Sequence, residues 1–240
     1  MRTVVRFITF LVLFGTWFLG VPAAIAETIR FSLAQLPIGA ESETKGVWID
    51  LIKAMHEVDP SVDVEWVVVP FARSIQNVLD GTADIHFPLL RPPPEKLEGK
   101  PYRLSKMSFY RVNFVLYANK GSDLTLDNIE SHKVETERAH VELFDFPLGA
   151  VSSPAIGLRM VDARRIDGFL FSDTACDPIV LEQGLKNIRR ILFGQFDVAA
   201  VLPKQSAKDL EGYLERNVAV LKVQGRYDKI MAPLNEKYSE

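Results

Sequence analysis

Phe71-Ala-Arg-Ser-Ile-Gln-Asn-Val-Leu-Asp-Gly-Thr-Ala-Asp84 is the stretch on which the fold reading turns. Ile75, Val78 and Leu79 share one side of a short helix expected over residues 74–80. Gly81 is its stop, because glycine takes the left-handed conformation that closes a helix. Residues 83–90 follow as an apolar strand. Upstream, residues 62–69 are rich in Val and Trp and read as a strand that Pro70 ends. Before them Val47, Leu51, Ala54, Met55 and Val58 recur at helical spacing, and Asp59-Pro60 stops that helix. Residues 28–34 alternate as an opening strand. Strands alternating with helices predict a parallel sheet with helical crossovers.

Downstream, Arg91-Pro-Pro-Pro-Glu-Lys96 forces a stiff, extended loop. Residues 110–118 form an apolar strand. A second series follows: strand 133–137, helix 154–164, strand 166–171, helix 178–184, strand 187–193 and an apolar segment 197–202. Two tail helices are expected over 208–224 and 226–238. In the first, Leu210, Leu214, Val218 and Leu221 make one amphipathic face. The fold class is therefore α/β with two lobes and two hinge strands. Lobe 1 is expected over 27–115 and 200–240, and lobe 2 over 116–199. The tail helices should pack on lobe 1.

The ends and the composition bound the function. Arg2 and Arg6, the apolar run 7–20 and the small-x-small triplet Ala24-Ile25-Ala26 follow signal-peptide grammar. The run is short of the ~20 residues of a spanning helix, and Pro22 breaks it. Cleavage after Ala26 and a periplasmic location are expected. Taking 26 residues from 240 leaves 214, enough for one large domain or two small lobes. At 48% hydrophobic residues a substantial core can form. The net charge of −3, with no densely basic stretch, argues against nucleic acid or an anionic membrane surface as partner. Cys176 is the single cysteine, so no internal disulfide forms. Asp173 and Asp177 flank it, which opposes a reactive thiol, and a small buried residue is expected. His56, His86, His132 and His140 lack metal-ligand spacing. No phosphate loop or nucleophile elbow is present. Neither cofactor, metal nor catalytic residue is expected, and the chain should be a monomer.

Taken together, these segments resemble the extracellular solute-binding proteins of family 3, the type II periplasmic binding proteins of amino-acid ABC transporters. The resemblance rests on Gly46-Val-Trp-Ile-Asp-Leu51, Phe71 to Leu79, Gly81-Thr-Ala-Asp84, Ser105 to Tyr110, Arg164-Arg-Ile-Asp-Gly168 and Leu221 to Gly225, in that order. The pattern looks like a divergent branch of that family, and the resemblance spans nearly all of 27–240. It implies a protein that closes two lobes over a small polar, anionic or amino-acid-like solute and delivers it to a membrane transporter permease. The alternatives carried are a cyclic-carboxylate dehydratase on the same fold and a ligand-sensing module for a membrane receptor.

The resemblance also assigns ligand-binding residues. Phe71 falls where the family packs an aromatic on its ligand. Arg73 lies near a helix N-terminus, where a cation is unfavourable, so it answers a ligand anion or a neighbouring carboxylate. The family's carboxylate-clamping Arg would lie twelve residues after Asp84, where this chain has Lys96. Lys is a point charge rather than a fork, and Arg91 in the same loop is the other candidate. Pro88 and Leu89 replace hydroxyl-bearing residues there. In lobe 2 the family's Gly-Thr-Thr loop is matched by Arg138-Ala139-His140-Val141, so Arg138 and His140 are the candidate donors. Asp173 is the candidate for a ligand ammonium, and Tyr110 for the cleft wall. These departures put an ordinary amino-acid grip in doubt.

Overall fold

Pro70 sets the entry into the deciding stretch, and Phe71 is already the first helical residue. The computed structural model describes residues 27–235. The expected export signal, residues 1–26, lies outside the described residues, as do 236–240. The first βα series is β1 (Glu27–Ala34), α1 (Val47–Val58), β2 (Val62–Val69), α2 (Phe71–Leu79) and β3 (Ile85–Leu90). α2 thus starts three residues before the expected Ser74, and Gly81 follows it at φ 71°. β1 pairs in parallel with β2, Glu27 opposite Val62 through Ala34 opposite Val69, and with β3, Phe31 opposite Ile85.

The chain then makes a single 3-10 turn at Pro94–Lys96, a short β4 (Tyr102–Leu104) and β5 (Tyr110–Asn119). The second series is β6 (Val134–Glu137), a 3-10 stretch Arg138–Leu143, β7 (Gly149–Val151), α3 (Pro154–Asp162), β8 (Gly168–Ser172) and α4 (Asp173–Glu182). α4 begins five residues before the expected start. Pro178, taken from the sequence as a helix opener, sits inside it and removes the bond that Thr174 carbonyl would accept. β9 (Ile188–Pro203) is continuous where two segments were expected, with a register shift opposite Phe114 and Val115. α5 (Leu210–Val223) and α6 (Arg226–Asn235) complete the described chain.

The strand order β2-β1-β3-β9-β5-β8-β6-β7, with β4 beside β9, explains the architecture. β9 runs antiparallel to β3 through its C-terminal end and antiparallel to β5 along most of its length. These two long strands therefore join the β2-β1-β3 half to the β8-β6-β7 half. α1, α5 and α6 cover one face of the first half. Trp48, Leu51, Met55 and the expected stripe Leu210, Leu214, Val218 and Leu221 are all buried there. Each fully buried Leu contributes about 1.5–3 kcal/mol by leaving water. The other face, under α2, is continuous with the core of the second half.

Asp84 ties the first half together. It accepts bonds from Arg30 N–H at 2.8 Å and from Lys208 Nζ at 2.7 Å. Burial pushes its carboxyl up, but the hydrogen bonds from Arg30 and Lys208 outweigh that and hold it below the usual range. Cys176 is fully buried, and burial pushes its thiol well up, away from reactivity. Among the described residues no helix is long and apolar enough to cross a membrane, and no group of His, Cys, Asp and Glu is set to hold a metal ion.

Candidate functional site

The seam between the two halves holds a cavity of about 20 Å³, room for roughly one water molecule. Its wall is built from loop and strand-end positions of both halves. Phe71 enters from the start of α2, and Tyr110, Val112 and Phe114 from β5. His140 comes from the 3-10 stretch after β6, and Phe171 from the end of β8. Ser172, the N-cap of α4, completes that edge.

His140 is the hub of this wall. Its ring centroid lies 4.7 Å from Phe71, 4.9 Å from Phe171 and 5.8 Å from Phe114. The contacts with Phe71 and Phe171 are edge-on and the one with Phe114 is tilted; aromatic pairs contribute about 0.5–1.5 kcal/mol each beyond area burial. The side chain is 2% exposed, and Nδ1 lies 3.3 Å from Glu137 Oε2. Glu137 is equally buried and also accepts the Ala139 N–H at 2.8 Å, so it caps the 3-10 stretch and orients the imidazole together. The Nε2 of His140 has no protein partner among the described residues.

A second buried histidine stands behind Phe71. Ser74 Oγ donates to His86 Nδ1 at 2.6 Å, and His86 Nε2 donates to the Pro88 carbonyl at 3.0 Å. Burial drives the His86 pKa down to about 3. This Ser–His pair has the composition of a nucleophile and its base. Both side chains are fully buried, neither lines the cavity, and both ring nitrogens are taken.

The candidate ligand residues divide sharply. The structure brings Phe71, Tyr110 and His140 together on the cavity wall. Arg73 is exposed, with Nη1 3.9 Å from Asp80, the neighbouring carboxylate. Arg91 donates from Nη2 to the carbonyls of Ser105 at 2.7 Å, Lys106 at 3.3 Å and Met107 at 3.4 Å. Lys96 pairs with Asp145 at 2.5 Å and reaches the Phe144 carbonyl at 3.2 Å. Arg138 is exposed. Asp173 accepts from Asn113 Nδ2 at 2.8 Å and from the Thr174 N–H at 2.8 Å. None of these five lines the cavity.

Sequence reasoning missed Phe114, Phe171 and Glu137. The two phenylalanines read as strand core, and only the pairing of Phe114 with Ser172 across β5 and β8 brings them to the seam. Glu137 carried a usable signal, an acidic residue at a strand end three positions before a histidine.

Solved structures share this architecture. The chain superposes on a histidine kinase sensor domain with similarity to periplasmic binding proteins at TM-score 0.70 and 17% identity, covering 85% of this chain and 94% of that one. An ancestral arginine-binding protein bound to arginine gives 0.69 at 18% identity, over 85% and 96%. The arginine-, lysine-, histidine-binding protein ArtJ from the thermophilic bacterium Geobacillus stearothermophilus gives 0.71 at 13% identity, over 88% and 96%. No family model matches the sequence, and no curated protein matches it. The fold is thus the two-lobed α/β fold of the periplasmic binding proteins.

Proposed function

We propose that this chain is an exported solute-binding protein. It captures a small molecule between its two lobes and delivers it to a membrane transporter. The observation that carries the reading is the cavity at the seam, walled by Phe71 from one half and His140 and Phe171 from the other. A ligand there touches both halves at once, so binding energy favours closure without any chemistry. In this reading residues 27–115 and 200–240 form lobe 1, residues 116–199 form lobe 2, and residues 1–26 are removed after Ala26. The protein works as a monomer, and Phe71, Tyr110 and His140 are contact residues. The likeness to a kinase sensor domain favours a second reading, a periplasmic ligand sensor acting on a membrane receptor. In this reading the nucleophile-like pair Ser74 and His86 is structural, both side chains being sealed in the core.

A thermal-shift screen of the purified protein against amino acids, other carboxylates, amines and small aromatics tests the capture step. A ligand that binds only the native state raises apparent stability by mass action. A hit recovered unchanged after incubation supports the reading, and a consumed hit overturns it. Co-purification with a permease rather than with a receptor kinase separates the two roles.

A further inference from the structure

We infer that the seam cavity takes a small, flat, uncharged aromatic molecule bearing one hydroxyl group, with that hydroxyl bonded to His140 Nε2. The inference rests on the solute-binding reading and names the class of solute.

The wall offers large apolar faces and no counter-charge. No Asp, Glu, Lys or Arg lines the wall, and the charged residues expected to grip a ligand are committed elsewhere: Arg91 to three backbone carbonyls, Lys96 to Asp145, and Asp173 to Asn113. A zwitterion enclosed here would bring two charges out of water with no carboxylate on the wall to meet its ammonium and only the His140 ring to meet its carboxylate, a costly arrangement. A flat ring replaces contacts the wall already makes with itself. In the closed cavity Phe71 stands edge-on to both His140 and Phe171. A ring placed between them when the halves part about β5 and β9 meets aromatic surface on both sides.

The polar requirement follows from the imidazole. Nδ1 lies within hydrogen-bond distance of the buried Glu137 carboxyl, and a hydrogen on Nδ1 makes that contact a donor–acceptor pair. Nε2 is then an acceptor in the neutral ring and a donor in the charged one. A hydroxyl both donates and accepts, so it satisfies either form. Ser172, on the same wall, makes no side-chain cap bond to α4 and offers a second partner of the same kind.

Calorimetric titration of the purified protein with phenol, its methyl ether anisole, L-phenylalanine and L-arginine tests this. Phenol is expected to bind, anisole at least tenfold more weakly, and the two amino acids not at all. His140→Phe keeps an aromatic ring in the wall and is expected to lower phenol affinity to the anisole level. Undiminished phenol binding in that variant would overturn the role of His140. The contrast between phenol and anisole on the unaltered protein stands even if the variant fails to fold, and equal binding of the two would overturn the hydroxyl requirement. Binding of either amino acid without phenol would overturn the aromatic class and leave solute capture intact. Silence here and across the broader screen would overturn both.

Discussion

Lys96 and Asp145 meet across the seam, one from each half of the molecule, with Nζ 2.5 Å from Oδ1. Lys96 belongs to the proline-rich loop after β3, and Asp145 follows the 3-10 stretch that carries His140. Lys100 of the same loop pairs with Glu142 of the same stretch. Two lysines thus fasten the loop of one half to the site-bearing segment of the other. The acids are 82% and 75% exposed, so each pair contributes about 0–1 kcal/mol and is screened by salt. The doubly reversed variant Glu142→Lys/Asp145→Lys is expected to open the cleft, read as a larger radius of gyration in solution scattering. The hydrogen bond and charge of Lys100 hold the Glu142 carboxyl below its usual value of 4.5. That pair is therefore intact above this pH and is lost as pH falls through the depressed value. An unchanged radius in the double variant would mean that the aromatic contacts hold the seam alone.

Arg91 acts as a loop anchor through its bonds to the carbonyls of residues 105–107. Arg91→Ala should cost about 1–3 kcal/mol of stability, because partly buried carbonyls lose a charged donor. Urea denaturation measures it. A variant of unchanged stability that lost affinity for an anion would reassign Arg91 to the ligand.

His86 makes stability depend on acidity. Burial is the main cause of its lowered pKa, opposed by the bond to the Pro88 carbonyl. Between the ordinary 6.5 and about 3 the unfolded chain takes up a proton that the native protein does not. Stability from this group is fully present above pH 6.5 and falls by about 1.4 kcal/mol per unit as pH drops through the window. His86→Gln should flatten that part of the profile in denaturant titrations at about pH 7 and pH 5. An unaltered slope would assign the acid sensitivity elsewhere.

Gly46 and Gly81 should respond differently to Ala. Gly46 has φ 140°, and a Cβ there would lie 2.4 Å from the Gly39 carbonyl oxygen. That carbonyl and the one of Ile38 accept the first N–H groups of α1, Trp48 and Val47, in place of a side-chain cap. Gly46→Ala is expected to cost about 1–3 kcal/mol or more, through overpacking and loss of the cap. Gly81 has φ 71° and open space around it, so Gly81→Ala carries only the left-handed penalty of about 1–2 kcal/mol. Melting temperatures of the two variants check the order.

The elements with an uninterrupted apolar pattern were the most legible. α1, β2 and the α5 stripe carry a full period of apolar residues, so local pattern and final burial agree. β4 and β7 are three residues each, too short to show a period. The two ends of β9 read as separate pieces because Gly194-Gln195-Phe196 interrupts the apolar run where the register against β5 shifts. Pro178 misplaced the start of α4, since proline marks helix openings far more often than interiors.

Phe71–Asp84 by itself determined a helix, its glycine stop and a following strand, because those are local matters of periodicity and backbone freedom. The order of the surrounding elements likewise determined an α/β chain of two βα series. Which charges face a ligand was a tertiary decision. Lys96 lies at the spacing where the resemblance puts a grip, Arg91 five residues before it and Asp173 one residue beyond the corresponding second-lobe position, yet each finds a nearer partner once the chain is folded. Phe114, His140 and Phe171 come from segments far apart in the chain and meet only because β5, β8 and the stretch after β6 converge on one seam. A charged side chain settles on whichever opposite group or carbonyl lies within reach, and that distance is set by the packed sheet.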